Sequence, residues 1–126
     1  MISELAAGDP TGLAVDDGTR RRSWAELQDR AIRIARFLRD EAGVQPDEHV
    51  AVLMENRVEY VELILGAIMA GVWITPINWH LSRDEIAYVL RDSGSRFVFS
   101  DERHAAVARD AGANRPAVPQ PHLRQL

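Results

Sequence analysis

Val50-Ala51-Val52-Leu53-Met54-Glu55-Asn56, an apolar run without alternation closed by two polar residues, decides the fold class of this chain. A strand with one wet face alternates apolar and polar residues. One that does not alternate is covered on both faces, as in parallel sheets flanked by helices. The flanking sequence supplies such helices. Upstream, Trp24, Leu27, Ala31, Ile34, Ala35, Leu38 and Ala42 recur at helical spacing, with Arg30, Arg33, Arg36 and Asp40 turned outward. Gly43 stands where a left-handed helix end is expected. Downstream, a helix from Arg57 to Ala70 ends at Gly71, and Val72 to Thr75 is a strand closed by Pro76. A helix over Arg83 to Asp92 ends near Gly94, a third strand spans Arg96 to Ser100, and Asp101 opens a last helix reaching about Ala111.

Three of these helix starts carry the same punctuation. Ser23 precedes Glu26, Asn56 precedes Glu59, and Ser82 precedes Glu85, each by three residues. In that spacing the first side chain accepts from a free N–H of the first turn. The carboxylate reaches back to the cap's own N–H and suits the positive end of the helix dipole. Strands separated by helices of this length imply parallel pairing. Ahead of them, Leu13-Ala14-Val15, Asp17-Gly18 and Arg20 to Ser23 read as a short β-hairpin, because glycine tolerates the positive φ of such turns. The expected architecture is α/β: a partial parallel sheet flanked by helices, preceded by the hairpin. It occupies residues 12–112. Residues 1–11, with Gly8 and Pro10, are expected to form a loosely held arm. Residues 113–126, with Pro116, Pro119 and Pro121 and no apolar period, are expected to lack fixed structure.

Composition narrows the function classes. A net charge of -4 gives no reason to expect nucleic acid or anionic lipid as a partner. No cysteine is present, which excludes disulfides and thiolate metal sites. Met1-Ile2-Ser3-Glu4-Leu5 lacks a basic region before an apolar run, and the longest apolar stretch, Leu63 to Ile74, is too short to span a membrane. A cytoplasmic location is the expectation.

Ligands of open parallel sheets sit beyond the carboxyl ends of the strands. Here those ends are Glu55-Asn56-Arg57, Pro76-Ile77-Asn78 and Ser100-Asp101-Glu102. None has the glycine cluster that closes backbone N–H groups around phosphate, and there is no Walker lysine, dinucleotide fingerprint or nucleophile elbow. Asn56, Ser100 and Asp101 read as helix caps. His49 precedes a strand, His104 falls in a first helical turn, His122 lies in the tail and His80 in a loop. No two are spaced i, i+4, and no carboxylate is spaced to complete a metal site. Arg20-Arg21-Arg22 reads as a solvated strand edge, its outer two side chains facing one way and its middle one the other. Trp24 and Trp73 read as core; Trp79 either lines a pocket or packs under its loop. No catalytic, cofactor-binding or metal-ligating residue is assigned.

Taken together, several segments resemble the N-terminal part of the AMP-forming acyl-CoA synthetases, within the wider adenylate-forming enzymes. These are Ser23-Trp24-Ala25-Glu26-Leu27, Gly43-Val44-Gln45-Pro46, Val50 to Asn56, Ala67-Ile68-Met69-Ala70-Gly71, Pro76-Ile77-Asn78, Glu85 to Leu90 with Asp92-Ser93-Gly94, and Phe97-Val98-Phe99-Ser100-Asp101. Their order and spacing match the family over roughly residues 12–112. Asp47-Glu48 stands where the family usually has Gly-Asp. Asn78-Trp79-His80-Leu81 is more similar to fatty-acyl and related carboxylate ligases than to amino-acid adenylation domains.

The resemblance implies activation of a carboxylic acid by ATP to an acyl adenylate, then thioester formation with coenzyme A. It also implies ATP, Mg2+ and CoA as cofactors of the full-length family. The family's phosphate loop, ribose-binding carboxylate, magnesium-binding acid and mobile lysine all lie downstream of the matched region. No cofactor or small-molecule site is therefore expected within this chain. The first expectation is a truncated acid–CoA ligase segment, inactive alone or partnered by a downstream ligase fragment. The alternative is a non-catalytic α/β interaction module; a weaker third possibility is self-association through open strand edges.

Overall fold

The computed structural model describes residues 1–113, 116–119 and 125–126. The chain begins with helix α1 (Ile2–Gly8) and the hairpin strands β1 (Leu13–Asp16) and β2 (Arg21–Ser23). Helix α2 (Trp24–Arg36) continues into a π-helical turn over Phe37–Glu41. There follow β3 (His49–Leu53), α3 (Val58–Ala70), β4 (Trp73–Pro76), α4 (Arg83–Ser93), β5 (Val98–Ser100), α5 (Ala105–Ala111) and β6 (Ala117–Pro119). The hairpin is antiparallel. The other four strands form a parallel sheet in the order β4-β3-β5-β6.

The unbroken apolar run is the centre of this sheet, and its two faces feed two cores. Val50, Val52 and Met54 pack with Ile34, Leu38, Leu63, Ala67 and Phe99, beneath α2 and α3. Ala51 and Leu53 face the other way, onto Ile86, Leu90, Val98 and Ala108 beneath α4 and α5. Alternate side chains of a strand point to opposite faces, so covering both requires every position to be apolar.

The predicted caps at Ser23–Glu26 and Ser82–Glu85 are both present as reciprocal capping boxes. The third is not. Asn56 is exposed, Arg57 precedes the helix, and no side chain of α3's own start caps it. The Val58 N–H instead donates to Asp17 Oδ2 at 2.9 Å, from the hairpin turn. Glu59 is turned away into a buried contact with Arg20.

The arginine run also differs from its reading. Arg20 and Arg22 do point the same way, but into the protein: Arg20 pairs with Glu59, and Arg22 Nε donates to Glu62 Oε1 at 2.7 Å. Arg21 turns outward onto Asp16. Arg30, expected at the surface, also reaches Glu62, at 3.3 Å. Strand residues two apart and helix residues three apart share a face, so the hairpin clamps α3 through two carboxylates.

Trp73 was expected in the core and is 60% exposed, because β4 is an edge of the sheet; its ring stacks on His49. Trp24 is half-buried. The expected arm contains α1, with Ala6 buried, and the Pro10 and Gly12 carbonyls accept the Ala25 and Trp24 N–H groups at the start of α2. In the expected unstructured tail, Ala117–Pro119 pairs with β5 as a fourth strand. Prolines read as breakers, yet an edge strand needs donors on one side only. Pro121 and His122 lie outside the described residues.

Candidate functional site

The carboxyl edge of the sheet, where a ligand of such a fold would sit, is built from the ends of β3 and β5. Asp101, at the end of β5, is fully buried. Its Oδ2 accepts the Glu55 N–H at 2.9 Å, and its Oδ1 accepts the His104 N–H at 2.9 Å and lies 2.6 Å from His104 Nδ1. Burial pushes this carboxyl up, but the Glu55 N–H and the two groups of His104 outweigh it. The net position is below the ordinary carboxylate range. The cap reading of Asp101 thus captures one of its bonds, three residues ahead. It misses the bond across to β3.

Glu55, Asp101 and His104 come close enough for their ligand atoms to lie within 4.8 Å of one another. The sequence reading saw no carboxylate spaced to join a histidine. Adjacent parallel strands bring in one that is 46 residues from Asp101 along the chain. The cluster is nevertheless used internally. Both Asp101 oxygens are taken by N–H groups, and Glu55 Oε2 accepts from Arg103 at 3.2 Å. Arg57 spans the rim, 3.4 Å from Glu102 and 3.9 Å from Asp101.

The loop after β4 completes the edge. Asn78 Oδ1 accepts the His80 N–H at 3.0 Å, an Asx turn. Trp79 packs beneath the loop on the second core, its ring 3.6 Å from that of His80 and 5.4 Å from that of His104. Exposed His80 is a loop residue, as expected. His49 is the first residue of β3 and contacts Thr75 Oγ1. Ser100 is not a cap: its Oγ is buried without a hydrogen-bond partner among the described residues.

Beside this edge lies a polar cleft of about 170 Å³ lined by Asp17, Thr19, Arg20, Asn56, Arg57 and Glu59. Small-molecule sites occupy roughly 300–1,000 Å³ and are mainly apolar. The cleft is smaller than such a site.

The pattern of the family described as AMP-binding enzyme matches residues 2–124. The chain belongs to the AMP-binding enzyme family. Its relatives include tyrocidine synthase 1 of Brevibacillus parabrevis, 36% identical over 112 residues, covering 89% of this chain and 10% of that protein. The 2-succinylbenzoate–CoA ligase of Geobacillus kaustophilus is 38% identical over 104 residues, covering 82% of this chain and 21% of the relative. Among solved structures, a benzoate CoA ligase from Burkholderia xenovorans superposes with a TM-score of 0.85 at 27% identity, over 94% of this chain and 24% of the other. A Mycobacterium tuberculosis fatty acyl CoA synthetase gives 0.83 at 31% identity, over 98% and 27%.

The chain therefore spans from about 2% to about 34% of the length of the proteins it matches. Its fold is theirs: an α/β layer with a parallel sheet and a short hairpin. Among the described residues no helix is long and apolar enough to cross a membrane.

Proposed function

We propose that this chain is a scaffold segment of an AMP-forming acid–thiol ligase, and that it does not activate an acid by itself. The observation that carries this reading is the commitment of the carboxyl edge. Its strand ends present Glu55, Arg57 and Asp101 already bonded to one another's backbone or to neighbouring charges. Attack of a carboxylate oxygen on the α-phosphorus of ATP, with pyrophosphate leaving, needs preorganised donors aimed at the developing charge. At the described carboxyl edge the Glu55 and His104 N–H groups are taken by Asp101, and the adjoining cleft, about 170 Å³, is smaller than the usual small-molecule site.

The role of this segment is architectural. It fixes one sheet layer, and the phosphate loop and mobile lysine implied by the family resemblance come from elsewhere. The assembled ligase takes a fatty or related carboxylic acid, a reading supported by the similarity of Asn78-Trp79-His80-Leu81 to such enzymes. The relatives include both peptide synthetases and CoA ligases, so this preference rests on that loop. The test is ATP–pyrophosphate exchange by the purified chain against fatty, aryl and amino acids. No exchange is expected with any of them; sustained exchange with one would remove the reading.

One feature favours a second reading, a non-catalytic interaction module. Ile64, Ile68 and Met69 are exposed on a single helix, and extended apolar surface marks a binding face. A stable monodisperse chain that binds no ligase segment would favour it.

A further inference from the structure

Asp9-Pro10 is the chain's one Asp-Pro pair, and it lies in the turn that joins α1 to the hairpin. Both residues are exposed. The turn is anchored on either side of the bond between them. Upstream, the Asp9 N–H donates to the Leu5 carbonyl at 2.9 Å and ends α1. Downstream, the Pro10 and Gly12 carbonyls accept the Ala25 and Trp24 N–H groups, each at 3.1 Å. The Asp9 carbonyl itself accepts the Gly12 N–H at 3.1 Å. The Asp9 side chain turns toward the same residue, since a Cβ at position 12 would run into its carboxylate. Main-chain and side-chain oxygens of Asp9 thus converge on Gly12. Among the described residues no side-chain hydrogen bond or ion pair engages that carboxylate. Asp17, in the hairpin turn, is the contrast. Three N–H groups hold its carboxylate, and the Gly18 N–H that follows it is taken by Asp16 Oδ1.

We propose that Asp9–Pro10 is a self-cleavage site, at which the folded turn promotes scission of the chain in mild acid. Proline supplies the leaving group. Its nitrogen carries no hydrogen in the chain, so it departs as a secondary amine, a better base than the primary amine any other residue would release. Asp9 supplies the nucleophile, a role open to carboxylates. In its acid form the Asp9 carboxyl places an oxygen on its own main-chain carbonyl carbon, closing a five-membered ring. Its proton passes to the Pro10 nitrogen as the carbon–nitrogen bond breaks. Residue 9 is left as a cyclic anhydride and Pro10 as a free amine; water then opens the anhydride to two carboxyl groups. The Gly12 N–H donates to the carbonyl oxygen on which negative charge gathers as the ring closes. Exposure of both residues admits the water. Scission severs α1 from the chain, while Pro10 and Gly12 stay bonded to the start of α2. The site does not depend on the ligase reading.

The test holds the purified full chain at about pH 5, above the range in which Asp17 titrates, with and without urea. Intact mass is followed over days. Expected is a product beginning at Pro10 that forms about tenfold faster in the folded chain than in urea, because the turn holds nucleophile and carbonyl together. Asp9→Ala and Pro10→Ala should each abolish it. Gly12→Ala pushes the carboxylate aside and should bring the folded rate down to the rate in urea. Circular dichroism checks that this variant is folded; if it is not, the comparison of the parent chain with and without urea decides alone. A rate in the folded chain equal to or below that in urea overturns the proposal, since cleavage is then a property of the dipeptide and not of the turn. So does a folded Gly12→Ala chain that cleaves as fast as the parent, or the absence of any product beginning at Pro10.

Discussion

Arg22 Nε donates to Glu62 Oε1 at 2.7 Å, joining the hairpin to a carboxylate that is fully buried on α3. Arg30 of α2 approaches the other oxygen at 3.3 Å. One carboxylate thus ties three elements together, and its removal takes a buried counter-charge from the partly buried Arg22 and Arg30.

Breaking a buried pair by removing one partner costs about 3–5 kcal/mol, because the surviving charge is stranded. Glu62→Gln is expected to lose about 3 kcal/mol, read as a shift of the urea midpoint at constant slope. A change below about 0.5 kcal/mol, the size of an ordinary surface substitution, contradicts the burial of the pair.

Asp101→Ala removes the acceptor for two backbone N–H groups, those of Glu55 and His104. Leaving a buried donor unpaired costs about 1–3 kcal/mol. The Glu55 amide is therefore expected to exchange its hydrogen markedly faster, with a loss of about 2–4 kcal/mol in global stability. An unchanged exchange rate at Glu55 would show that the link between β3 and β5 does not depend on this carboxylate.

Gly66 sits where α3 packs closely against Ala31 and Ile34 of α2. A Cβ there would lie 2.5 Å from Ile34 Cγ2, 2.7 Å from Ile34 Cβ and 3.1 Å from the Ala31 carbonyl oxygen. Alanine is the better helix former by about 1 kcal/mol, whereas overpacking costs about 1–3 kcal/mol. Backbone and a branched Cβ cannot move aside cheaply, so the steric cost is expected to win. Gly66→Ala should lower Tm; a raised Tm contradicts the close contact.

Acid should weaken the fold through Asp17. Three backbone N–H groups, those of Arg20, Thr19 and Val58, hold its pKa down at about 2, against an ordinary 3.8. A carboxyl depressed in the folded state adds stability above its unfolded pKa and loses it as pH falls toward the folded value. The loss is therefore expected between about pH 3.8 and about pH 2. Asp101, also lowered, acts in the same direction. Asp17→Asn should flatten the fall in Tm across that range, and an unaltered acid limb would count against this role.

The sheet, its order along the chain and two of three capping boxes were legible because each rests on local pattern: an apolar run, a helical stripe, Ser followed by Glu three residues on. The features that were not legible are all long-range. Nothing near Asn56 announces that Asp17, in a hairpin turn 41 residues upstream of Val58, takes over the cap. Arg20 and Arg22 were correctly paired on one face, but the buried carboxylates they meet lie on another element. Trp73 is apolar in a strand and still exposed, since strand order, which periodicity does not encode, places β4 at the edge. The cluster of Glu55, Asp101 and His104 was hidden for the same reason.

The central claim is that this segment shapes a ligase without gripping its nucleotide. Isothermal titration of the purified chain with ATP and Mg2+ tests it most directly. The account predicts no heat of binding at millimolar nucleotide, and saturable, magnesium-dependent binding at one site per chain would contradict it.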